Sequence, residues 1–95
     1  MILAVDAGNS RVKWALYDGR AFVRDGWASH ADLDALDSQW SSLPSPTSVV
    51  IANVAGDETG RRLRKLSERW PVDVIWGVVF ALIQSALFLL ARSTD

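Results

Sequence analysis

The sequence predicts an α/β domain with the element order β-β-β-α-β-α-β, and three observations carry that prediction. Two short apolar runs near the start are separated by a tight polar turn. Residues 49–52, Val-Val-Ile-Ala, form a continuous apolar run, the mark of a strand buried on both faces. Leu33, Leu36 and Trp40, and then Leu63, Leu66 and Trp70, recur at helical spacing on either side of that run.

The first strand is expected over residues 2–6 and the second over 12–17, joined by Asp6-Ala7-Gly8-Asn9-Ser10. Asp18-Gly19 is a hairpin signal leading into a third strand over 21–28. Ser29-His30-Ala31-Asp32 fits a helix start, with Ser29 as the cap and an acid three residues on. His30, the single histidine, is expected at the surface there. Residues 41–48, with Pro44 and Pro46, read as a loop. After the fourth strand, Asn53-Val54-Ala55-Gly56 is a second strand-to-helix turn, and Asp57 is placed to cap the next helix. Arg61, Arg62, Arg64, Lys65 and Arg69 give that helix a solvated basic face, with Glu58 and Arg62 as an i,i+4 pair. Pro71 ends it, and residues 72–76 read as the last strand. Trp27, Trp40, Trp70 and Trp76 occupy apolar positions and are expected in the core. Trp14 is expected either in the core or bracing the first turn from beneath.

Composition narrows the function classes. Ninety-five residues make one small domain at most. A hydrophobic content of 49% with 22% charged residues is that of a globular chain. A net charge of −1 gives no electrostatic reason to expect a nucleic-acid partner. The absence of cysteine excludes disulfides, a thiolate nucleophile and a thiolate metal site, and one histidine cannot make a histidine-rich one. Met1 leads into the first strand without a basic flank, so no signal peptide is expected and a cytoplasmic location is the default.

The first turn holds the chemistry. Asp6 stands at the end of a buried strand, where a carboxylate binds Mg²⁺ directly or through water. Gly8 lets backbone N–H groups approach a ligand, Asn9 and Ser10 add side-chain donors, and Lys13 adds a point positive charge suited to phosphate oxygens. The plainer reading is a hairpin turn built from the residues that turns favour. From the turn alone both readings stand.

The order of elements and the two turns together resemble the opening of a type III pantothenate kinase. The matching segments are Asp6-Ala7-Gly8-Asn9-Ser10-Arg11-Val12-Lys13-Trp14-Ala15-Leu16 and Ile51-Ala52-Asn53-Val54-Ala55-Gly56. The resemblance spans residues 1–76 and implies a ribonuclease H-like lobe of the actin-like ATPase superfamily. It implies transfer of the γ-phosphoryl group of ATP to pantothenate, the first step towards coenzyme A, by a cytoplasmic homodimer. Mg²⁺ and a monovalent cation such as K⁺ or NH₄⁺ come with it. Asp6 matches the family's metal- and phosphate-associated aspartate, and Gly8, Asn9, Ser10 and Lys13 match its first phosphate loop.

One departure is as informative as the match. The family's Gly-x-Asp-Arg segment, bearing the general base and a pantothenate-holding arginine, occurs nowhere in this chain. No catalytic residue is therefore assigned, and the chain is expected to be a truncated lobe, inactive by itself. The alternative is a non-catalytic lobe that binds phosphate or a partner, associating through residues 77–91. Residues 77–95 read as a divergent apolar tail, helical by pattern and too short to span a bilayer. It is expected to be a buried helix, a membrane- or partner-binding segment, or the product of a frame shift.

Overall fold

The computed structural model describes residues 1–77. The expected apolar helix of the tail lies outside them. The strands are β1 (Ile2–Ala7), β2 (Arg11–Tyr17), β3 (Phe22–Ser29), β4 (Ser48–Asn53) and β5 (Val74–Trp76). The helices are α1 (Ala35–Ser41) and α2 (Asp57–Ser67), with a single 3₁₀ turn at His30–Asp32. The predicted order is therefore present.

The five strands make one mixed sheet in the order β3-β2-β1-β4-β5. β1, β2 and β3 form an antiparallel meander, whereas β4 joins β1, and β5 joins β4, in parallel. Parallel partners require crossover connections, and α1 and α2 lie in the two crossovers. Alternation along the strands sends Leu3, Val5 and Ala7 of β1, Val12, Trp14 and Leu16 of β2, and Val49 and Ile51 of β4 into one core. Leu33, Leu36 and Trp40 around α1 and Leu63 of α2 cover it. Each fully buried side chain of this size is worth roughly 1.5–3 kcal/mol, so this face holds the sheet together. Ile2, Ala4, Ala15, Phe22, Val50 and Ala52 make two smaller clusters.

Trp14 resolves to the core: it is 2% exposed, and its indole N–H donates to Gln39 Oε1 at 2.7 Å. Its ring lies over Gly26 on β3, where a Cβ would sit 2.8 Å from the indole. Only glycine leaves room for the ring there. Trp40 and Trp70 are buried against each other with ring centroids 5.7 Å apart. Trp27 departs from expectation. It is 54% exposed on the edge strand β3, with the Arg11 guanidinium 4.7 Å above its ring.

Two helix starts also differ from the reading of the sequence. Ser29 is extended, makes no side-chain capping bond, and leads into the 3₁₀ turn before α1 begins at Ala35. The residue ahead of α2 is Gly56, at φ 106°, a conformation that favours glycine. Asp57 and Glu58 instead fill the first turn of α2, where acids complement the helix dipole. Arg62 pairs with Asp34 at 3.6 Å, across to the α1 side, where an in-helix pair with Glu58 was expected. No helix among the described residues is long and apolar enough to cross a membrane.

Candidate functional site

β1 and β4 are parallel neighbours, so the turns that follow them leave the sheet at the same edge. Val54 N–H donates to the Ala7 carbonyl at 3.0 Å and ties the two exits together. This is where an open sheet with parallel strands offers a ligand crevice, beyond the carboxyl ends of its strands.

All five residues singled out in the sequence lie at this edge. Asp6 is half-buried and sits in register with Lys13 of β2 on one side and Ala52 of β4 on the other. Both Asp6 and Lys13 belong to the sheet face opposite the helices, since Val5, Ala7, Val12 and Trp14 point into the helix-covered core. A carboxylate and an ammonium are thus set side by side at the mouth of the turn. Asn9 and Ser10 stand exposed at its tip.

Gly8 has an ordinary backbone conformation. Its φ is not positive, and a Cβ built there would meet only the Arg11 carbonyl oxygen, at 3.5 Å. The turn itself does not demand glycine. What the missing side chain leaves is open space above the backbone, which suits close approach of a ligand. The turn is held by the Gly8 N–H donating to the Arg11 carbonyl at 3.0 Å.

His30 was missed as a member of this site. Far from being a bystander at a helix start, it is half-buried, and its Nε2 lies 2.5 Å from the Gly8 carbonyl oxygen. The hairpin register held the clue. Arg11 pairs with Ser29, so the residue after Ser29 must come alongside the first turn. Beside it a cavity of about 360 Å³ opens between the two exits, lined by Asn9, His30, Ala55, Glu58, Thr59 and Arg62 among others.

The second turn, by contrast, satisfies itself. Asn53 Oδ1 accepts the Ala55 N–H and Asn53 Nδ2 donates to the Gly56 carbonyl, each at 2.9 Å.

The donor set bears on what the first turn can hold. Among the described residues no group of three or more His, Asp or Glu side chains converges as a metal cage. Mg²⁺ does not need one, since it keeps several waters and binds through one or two carboxylates together with phosphate oxygens. Asp6, with Asn9, Ser10 and Lys13 close by, fits that mode.

The sequence matches the type III pantothenate kinase family over residues 2–83, past the boundary at 76 expected from the residues alone. A type III pantothenate kinase of Nitrosospira multiformis is 41% identical over 76 residues, covering 80% of this chain and 29% of the relative. One from Burkholderia mallei is 53% identical over 73 residues, 75% of this chain and 27% of the relative. A third, from Dechloromonas aromatica, is 40% identical over 70 residues, 74% of this chain and 29% of the relative. The chain thus spans less than a third of the length of these relatives.

Proposed function

The chain belongs to the type III pantothenate kinase family, and we propose that it forms the N-terminal, phosphate-holding lobe of such a kinase. The observation that carries this reading is the placement of Asp6 beside Lys13 at the mouth of an open polar turn, at the carboxyl edge of β1. The reaction is attack of a pantothenate hydroxyl on the γ-phosphorus of ATP, with loss of ADP and of the hydroxyl proton.

Phosphoryl transfer asks a protein mainly for positioning and charge neutralisation, and the turn's residues divide that work. Asp6 is the carboxylate for Mg²⁺, which when bound screens the phosphate charge. Lys13 places a positive charge against the phosphate oxygens. Asn9 and Ser10 supply donors, and the space above Gly8 admits the phosphate. No described residue is assigned to the monovalent cation. The lobe of this superfamily is assigned to residues 1–76, and the family match runs on to residue 83.

The same reading makes this chain inactive alone. It contains no Gly-x-Asp-Arg segment, and lack of a positioned base costs on the order of 10²- to 10⁴-fold in rate. Pantothenate contacts and an adenine site must come from elsewhere, within a homodimer of cytoplasmic location.

The test pairs binding with turnover on the full chain and on Asp6→Asn. MgATP is expected to bind the parent chain weakly, through its phosphates alone, and to lose about tenfold or more in affinity in the variant, equivalent to ~1.4 kcal/mol. Neither protein is expected to phosphorylate pantothenate. Binding indifferent to Asp6 would overturn the assignment of the turn, and Asp6-dependent turnover would overturn the inactivity.

A further inference from the structure

A polar contact of 2.5 Å at the site joins two residues far apart in sequence, His30 and Gly8. A carbonyl oxygen only accepts, so the imidazole must donate, and its Nε2 carries the hydrogen. The peptide between Gly8 and Asn9 is trans, because no peptide bond among the described residues is cis. A trans peptide directs its C=O and its N–H to opposite sides. Holding the Gly8 carbonyl towards His30 therefore aims the Asn9 N–H away from His30.

From this we propose that His30 is a positioning residue, which sets the Gly8–Asn9 peptide so that the Asn9 N–H presents itself as an anion donor. The proposal rests on the reading of the turn as a phosphate loop. The same bond polarises the peptide and makes its N–H a better donor, as linked hydrogen bonds do. Gly8 is then pinned at both ends, its N–H on Arg11 and its carbonyl on His30. The anchors come from β2 and from the residue that follows β3, the two strands of one hairpin. That arrangement lets the turn keep a fixed shape before a ligand arrives. It also explains why glycine is tolerated at a position whose backbone does not demand it: the carbonyl, not the dihedral angle, is what is fixed.

Two substitutions separate the donor from the bulk of the ring. His30→Leu keeps apolar volume and removes the donor, while His30→Gln restores a side-chain N–H at similar reach. Two readouts are taken on each full-length variant: the backbone ¹⁵N resonance of Asn9, which senses hydrogen bonding at the preceding carbonyl, and the affinity for MgATP. In His30→Leu the Asn9 resonance is expected to move and affinity to fall about fivefold, the worth of one net hydrogen bond. In His30→Gln the resonance is expected to stay near the parent position and affinity within about twofold. An Asn9 resonance unmoved in His30→Leu overturns the proposal, and so does a glutamine variant as impaired as the leucine one. Should the parent chain itself fail to bind MgATP, the phosphate reading falls. The Asn9 resonance then decides the role of His30 without it.

Discussion

The turns that follow β1 and β4 leave neighbouring parallel strands at one edge and are tied by the Val54–Ala7 hydrogen bond. Each contains an asparagine and a glycine. In the second turn Asn53 bonds both to Ala55 and to Gly56, and Gly56 sits at φ 106°. In the first, Asn9 and Ser10 are exposed, and Gly8 has an ordinary φ. Similar residue types therefore do opposite work. One turn uses its polar side chains to define its own shape and the start of α2. The other is held by bonds to Arg11 and His30, and leaves Asn9 and Ser10 facing solvent. The phosphate contacts proposed above fall to the turn whose Asn9 and Ser10 are exposed.

Breaking the second turn should have the largest effect, and the effect should be on stability. Gly56→Ala forces a Cβ into a backbone region that side chains rarely occupy, at a cost of about 1–3 kcal/mol. The midpoint of urea unfolding is expected to fall accordingly. Asn53→Ala removes two hydrogen bonds from a half-buried side chain and should cost about 1–2 kcal/mol. Gly60 adds a check on the same contact. A Cβ there would sit 3.0 Å from Asn53 Nδ2, so Gly60→Ala should be destabilising beside Asn53 and milder in an Asn53→Ala background. A Gly56→Ala chain as stable as the parent would remove the distinction between the turns.

The matching change in the first turn should show the reverse pattern. Asn9→Ala is expected to leave unfolding within about 0.5 kcal/mol, as exposed positions usually do. Affinity for MgATP should nevertheless fall severalfold, by about the ~1 kcal/mol of one hydrogen bond. Loss of stability in Asn9→Ala without loss of binding would reassign this turn to the scaffold.

How much of this was legible in the sequence follows from how local each signal is. The strands were legible because alternation in residues 12–17 and the continuous run at 49–52 are properties of neighbouring residues. Both turns were legible because their residue types are turn formers, although the same fact hid the difference between them. Asp6 and Lys13 flank the turn in the sequence, and their register pairing follows once the hairpin is counted. Trp27 was misplaced because hydrophobicity does not say that β3 is a sheet edge, where the ring stays exposed beneath the Arg11 guanidinium. His30 was misplaced for a related reason, since its partner lies 22 residues away. Ser29 looked like a cap, but strand pairing with Arg11 keeps it extended and delays α1. Local pattern gave the elements, and the non-local pairings chose which polar groups remain for a ligand.

The smallest predicted effect sharpens the contrast from a third turn, at Asp18-Gly19, which joins β2 to β3. Asp18 Oδ1 accepts the N–H groups of Ala21 and Arg20 at 2.9 and 2.8 Å, so this turn also satisfies itself. Those two backbone donors, Ala21 foremost, favour the ionised carboxylate and hold its pKa below the ordinary 3.8. A folded pKa below the unfolded one means that the contribution is fully present above the unfolded pKa and is lost as pH falls through the folded one. The carboxylate is wholly exposed, so the effect is small. Asp18→Asn keeps an acceptor oxygen but cannot ionise. Its deficit against the parent chain, read from urea midpoints, is expected at neutral pH and should vanish in acid well below the carboxylate range. A deficit that does not change with pH would mean that the turn is held by Gly19, at φ 102°, and not by the charge. The Asp18 turn would then be set by its backbone, unlike the Asn53 turn, whose side chain bonds both Ala55 and Gly56.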